Sequence, residues 1–199
     1  MKKKAWRKIR LRKVDISAMD DRMLLANVYL TQALTLLLAL ILSLFQGGAL
    51  WRLLALPDQL AIVLWGAGFA VVFIAVDGLL SQFVPEEVTD DGGVNEKLFS
   101  GRPLWHIAVL SFIVALCEEV LFRGVLQTWF GPYWTSILFA LLHVRYLKHW
   151  LMTGLVFSVS YGLGYLAIWT GTLWTPIFAH FVIDFVMGVI IKYRRKEQQ

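Results

Sequence analysis

Two adjacent carboxylates, Glu118 and Glu119, stand inside an otherwise apolar run, and Arg123 follows within the same run. A charged side chain at the centre of a bilayer costs about 2.5–3.5 kcal/mol on insertion scales, so such residues mark function or a compensating partner. Glu119 precedes Arg123 by four, the favourable order for an ion pair along a helix. Glu118 is rotated by about 100° from Glu119 and is left over from that pair. A purely structural cluster of all three is the weaker reading, because one guanidinium cannot neutralise two acids. Two other apolar runs carry histidines: His143, with Phe139 one turn earlier, and His180, with Asp184 one turn later. Each histidine alone could be a hydrogen-bonding packing residue, and His180 could simply pair with Asp184. Brought together, a carboxylate, two imidazoles and a further acid in a low-dielectric layer make a proton-transfer or metal site.

The elements that must position these groups are membrane helices. Of the 199 residues, 58% are hydrophobic, 17% are charged, and mean hydropathy is +0.65. Average soluble domains reach only about 45–50% apolar with Gly included. Cys117 is the single cysteine, which excludes a disulfide scaffold, a zinc ribbon and a paired-cysteine redox motif. It reads as a small apolar helix residue. Apolar runs extend over Met23–Phe45, Leu60–Leu80, Leu104–Phe130, Tyr133–Val144, Trp150–Thr170 and Leu173–Ile191. The fourth is short for a full crossing, and Gly131-Pro132 before it signals a turn. Backbone polar groups in lipid need internal partners, so the runs must be helical. The expectation is an all-α, polytopic helical bundle of about six transmembrane helices.

Placement of basic residues orients the bundle. With six crossings and both termini cytoplasmic, 17 of the 19 Lys and Arg residues fall on the inner side. Arg52 alone lies outside, and Arg123 lies within a span. This is the positive-inside pattern, and a bacterial cell membrane is the expected location. The chain divides into a basic segment at 1–22, two helices and a polar loop at 23–103, a core at 104–191, and a basic tail at 192–199. The terminal clusters, Lys2 to Lys13 and Lys192 to Lys196, suit anionic lipid headgroups. No nucleic-acid partner is expected, because no compact basic fold presents a groove. Trp51, Trp105, Trp134, Trp150 and Trp174 sit near run ends, as interfacial anchors do. Gly154, Ser158, Gly162 and Gly164 in the fifth run, and Gly66 and Ala70 in the second, suggest close helix contacts. Asp77, His106 and His149 lie near run ends and are left outside the site.

Depth ties the polar residues together. Counted from the outer ends of their runs, Glu118 lies about 18 Å down, His143 about 15 Å, His180 about 12 Å and Asp184 about 18 Å. Three separate helices thus bring polar groups into one thin layer.

The string Glu118-Glu119-Val120-Leu121-Phe122-Arg123-Gly124 has the form EExxFRG. Phe139 to His143 has the form FxxxH, and His180 to Asp184 the form HxxxD. Together and in order, the three resemble the motifs of the CPBP family of intramembrane glutamic proteases, which includes CAAX proteases and bacteriocin-processing enzymes. The resemblance covers roughly Leu104 to Ile191. It implies that Glu118 activates a water, that His143 helps to move the proton, and that Glu119 and Arg123, with Phe139, support the site. It also implies that His180 and residue 184 stabilise the oxyanion. The eukaryotic CAAX enzymes carry Asn at that last position. Ionised Asp184 only accepts hydrogen bonds, so the expectation here is either that it orients His180 or that it is protonated.

The function expected is hydrolysis of a peptide bond in a membrane-tethered or membrane-inserted substrate, either CAAX-like or of bacteriocin type, without a cofactor. A zinc peptidase of the same fold, with Glu118, His143 and His180 as ligands, is one alternative, although no HExxH helix is present. Others are a non-enzymatic membrane immunity or scaffold protein and a proton-coupled transporter. The last is disfavoured by small size and the lack of an inverted repeat.

Overall fold

Long apolar runs become helices here because a helix pairs its backbone groups within the run. The computed structural model describes residues 20–56, 59–85 and 93–197, and every regular element among them is helical. The basic cluster from Lys2 to Lys13 lies outside the described residues. The helices are α1 (Asp21–Ser43), α2 (Ala49–Leu53), α3 (Gln59–Leu80), α4 (Val94–Phe99), α5 (Leu104–Leu121), α6 (Gln127–Leu142), α7 (Trp150–Thr170) and α8 (Trp174–Glu197). The turn Phe122–Leu126 between α5 and α6 is a π-helix. Asp20 caps α1 by accepting from the Arg22 N–H at 3.2 Å. The long polar loop expected over 81–103 is not wholly irregular, since α4 forms inside it. The cluster of Leu98 with Leu24 and Leu110 supplies the apolar contact that holds α4 down.

Five continuous helical segments among the described residues are long and apolar enough to cross a membrane, the longest being Leu104–Leu142. That segment contains two crossings. In one straight helix Phe122 and Phe139 would stand about 25 Å apart, yet their ring centroids are 4.8 Å apart. The chain folds back at Gly131, whose φ of 71° and ψ of 171° leave helical space. A positive φ is natural for glycine, and Pro132 cannot donate to continue the ladder. Among the described residues the bundle therefore has six apolar helices of more than one or two turns, the fourth of them short. That helix stops at Leu142, where His143 is the C-cap.

Helix α8 is the hub and packs against α3, α4, α5 and α7. One end of the bundle is tied by the Leu173 N–H to Leu53 O (2.9 Å) and by Trp174 Nε1 to Leu54 O (2.9 Å). At the other end Lys192 Nζ donates to Arg102 O at 2.6 Å. Small residues set the close approaches only in part. A Cβ on Gly162 would lie 2.5 Å from the ring of Phe69 on α3, and one on Gly66 would lie 3.1 Å from Thr175 O on α8. Gly154 meets nothing within 4 Å, so the expected packing stripe on α7 covers only its second half. The outward faces remain apolar and exposed, with Leu30, Leu34, Leu37 and Ile41 on α1 and Val71, Val72 and Leu79 on α3. Lipid is the solvent that such faces fit.

Candidate active site

The two neighbouring glutamates face different surroundings, as their 100° rotation requires. Glu119 is fully buried, and its Oε1 accepts from Arg123 Nη1 at 2.9 Å and from His180 Nδ1 at 2.8 Å. Arg123 is also buried. Its Nη2 donates to the carbonyl oxygen of Ser160 at 2.7 Å and to Ser160 Oγ at 2.9 Å, and its guanidinium lies 5.2 Å from the Phe139 ring centre. One ion pair thus binds α5 and its π-turn to both α7 and α8. The π-turn is accommodated by Gln46, whose Nε2 donates to the Val125 carbonyl at 3.0 Å. Single π-turns inside helices recur at functional sites, where they displace side chains from α-helical register.

Glu118 is only partly buried and points into a cavity of about 430 Å³. Its Oε1 accepts from Gln32 Nε2 on α1 at 3.2 Å. The same cavity is lined by His143, His180, Asp184 and Phe139. The structure therefore brings together the four polar residues that sequence spacing placed in one layer.

His143 terminates α6, and its Nδ1 stands 2.8 Å from the Phe139 carbonyl oxygen. A carbonyl can only accept, so Nδ1 carries the hydrogen and the neutral ring keeps a lone pair on Nε2. The ring packs against Phe139 at 4.5 Å and is parallel to Tyr146 at 6.1 Å. Irregular backbone follows from His143 to His149. At membrane depth such backbone is tolerated where it lines a cavity or is buried in protein. Here Tyr146 and Arg145 line the cavity, and Asn95 Nδ2 donates to Tyr146 Oη at 3.1 Å.

His180 is buried between two acids. Glu119 takes Nδ1 at 2.8 Å, and Asp184 Oδ2 stands 3.5 Å from Nε2. The expectation from sequence was that Asp184 orients this ring; the short contact is the one with Glu119, and Asp184 stands at the other nitrogen at longer range. Among the described residues no three His, Cys, Asp or Glu side chains converge closely enough to share a metal ion.

Some residues around the site escaped sequence reading. Gln32 and Ser160 are ordinary polar residues in apolar runs, and nothing in their local spacing announces a partner. Asp77 was assigned to water at a span end, yet it lines the same cavity. His106 does lie apart from the cavity residues, its Nε2 3.0 Å from Tyr29 Oη. Cys117 is buried and free.

Residues 100–186 match the family described as type II CAAX prenyl endopeptidase Rce1-like. Over 135 residues the chain is 42% identical to the uncharacterized protein YpbD of Bacillus subtilis (strain 168), an overlap covering 68% of this chain and 71% of that protein. No solved structure matches it.

Proposed function

Since the chain belongs to the type II CAAX prenyl endopeptidase Rce1-like family, a family of intramembrane proteases, we propose that it is an intramembrane endopeptidase in which Glu118 activates water. The observation that carries this reading is the separation of the two glutamates. Glu119 is committed to Arg123 and His180, whereas Glu118 faces the cavity beside His143. A base must reach water and substrate, and only Glu118 of the two is so placed.

In the proposed reaction a water bound at Glu118 loses one proton to the carboxylate while its oxygen attacks the substrate carbonyl carbon. His143 Nε2, with its lone pair, shares that proton and delivers it to the departing amine. The oxyanion accepts a hydrogen bond from His180 Nε2–H, which requires the ring to be the imidazolium, because its Nδ1–H is already donated to Glu119. At 3.5 Å the contact of this nitrogen with Asp184 is long for a hydrogen bond, so the donor can turn to a stronger acceptor. Glu119 and Arg123 hold the ring that makes this donation.

The substrate class that fits is a peptide tethered to or inserted in the membrane, because the cavity lies within the helical bundle. Both CAAX-like and bacteriocin-type peptides belong to that class. Both termini are assigned to the cytoplasm of a bacterial cell from the distribution of Lys and Arg, and the basic termini are assigned to anionic lipids.

Glu118→Gln tests the reading. It keeps size and removes the base, and loss of a general base lowers rate by about 10²–10⁴-fold. Proteolysis is read by comparing membrane peptides released in cells that carry the wild type or the variant. Full retention of processing by well-folded Glu118→Gln would instead support a non-enzymatic scaffold or immunity role.

A further inference from the structure

Helix α1 lies outside residues 100–186, where the family match falls, yet it reaches the reacting end of Glu118. Gln32 is 6% exposed, and its Nε2 donates to Glu118 Oε1 at 3.2 Å. The other end of the same amide, Oε1, is buried and has no hydrogen-bond partner. Both residues line the one cavity. A polar side chain in a lipid-exposed helix is retained against its insertion preference only where it has work to do. A donor that holds one carboxylate oxygen in place leaves the other aimed at a water's hydrogen.

We propose that Gln32 is a positioning residue for the base. Its amide N–H₂ fixes Glu118 Oε1 and leaves the other carboxylate oxygen to take a hydrogen from the water, whose oxygen lone pair then faces the substrate carbonyl. One water hydrogen goes to Glu118 and on to the leaving amine. The other stays on the new carboxyl group until that group ionises, and the water oxygen enters the new carboxyl. Gln32 itself gains and loses no proton. The first helix is thereby part of the active site. The inference rests on Glu118 being the base.

The test uses the full chain in proteoliposomes with a fluorogenic lipidated peptide bearing a four-residue CAAX-like terminus, and membrane peptide profiling in cells as a second assay. Gln32→Leu is one atom shorter and removes both polar atoms. It is expected to lower kcat by about 10- to 100-fold with KM unchanged, as a misplaced reactant does. In the Glu118→Gln background Gln32→Leu is expected to add no further loss, because residues acting as one unit are non-additive. Additive losses, a change confined to KM, or unchanged kcat in both assays would overturn the inference. Activity surviving in Glu118→Gln itself would overturn the underlying mechanism instead, so the two failures are distinct. A readout free of any substrate is the infrared carboxylate stretch. Gln32→Leu should shift a carboxylate band in the wild-type background and leave the Glu118→Gln spectrum unmoved. An unmoved wild-type band overturns the contact on which the inference stands.

Discussion

One turn of α5 presents two carboxylates to two kinds of surroundings. On the Glu119 side three helices close over a guanidinium, an imidazole and a carboxylate, and both Glu119 and Arg123 are withdrawn from solvent. On the Glu118 side the helices part around a cavity, and the carboxylate keeps one hydrogen bond from Gln32. Identical residue types one position apart thus divide between holding the bundle and facing a reactant. The difference comes from which helices pack where. Helix α8 carries His180 to Glu119, while the short α6 ends early enough for His143 to cap it at the cavity wall. A charged group buried against an opposite charge stabilises position, and a charged group that faces a cavity remains available for chemistry.

The strongest way to break this contrast is Arg123→Ala. It leaves Glu119 with the contact to His180 and deprives the Ser160 carbonyl oxygen of its side-chain donor. Removing one member of a buried pair is destabilising by about 3–5 kcal/mol. The expected result is a much lower melting temperature in detergent, with loss of activity following from loss of fold. An Arg123→Ala protein that melts with the wild type would show that the cluster does not hold the helices. A smaller effect is expected for Ser160→Ala. The variant removes Oγ at 2.9 Å from Arg123 and keeps the backbone carbonyl at 2.7 Å. Hydrogen bonds to charged groups contribute about 1.5–3 kcal/mol, and with the carbonyl still in place the loss should fall at or below the low end. Thermal melts of the two variants should therefore rank Arg123→Ala well below Ser160→Ala.

The sealed side was the more legible in sequence. Spacing four with the acid first announced Glu119 and Arg123, and the structure has that ion pair at 2.9 Å. Counting residues from span ends gathered Glu118, His143, His180 and Asp184 at one depth, because rise per residue is fixed in a helix. The turn at Gly131-Pro132 was readable from residue chemistry alone. What escaped was whatever depends on lateral neighbours. The choice of Glu119 over Asp184 as the short partner of His180 depends on how α8 is rotated against α5. The role of Ser160 depends on α7 lying beside the π-turn, and that of Gln32 on α1 crossing α5 at that height. Pairing between separate helices leaves no periodic trace in either one. The helix α4 was hidden inside a polar loop, because its six residues are too few for a periodic signal.

The smallest effect sharpens the contrast most. On the open side Glu118→Gln exchanges a carboxylate for an amide of the same shape. The carbonyl oxygen of the new side chain can still accept from Gln32 Nε2, so no buried donor loses its partner. The exchange also removes a charge from a cavity with apolar walls at Val114, Leu155 and Val159, which relieves desolvation and offsets the weaker hydrogen bond. A net change in stability below about 1 kcal/mol is expected, with either sign. Measured beside the sealed-side variants in one detergent, Glu118→Gln should melt close to the wild type, while Arg123→Ala melts far below it. If Glu118→Gln is instead destabilised as strongly as Arg123→Ala, both acids hold the bundle together. The open face of α5 would then be a structural surface, and the glutamate assigned as base would have to be sought elsewhere in the cavity, with Asp184 and Asp77 as the remaining acids that line it.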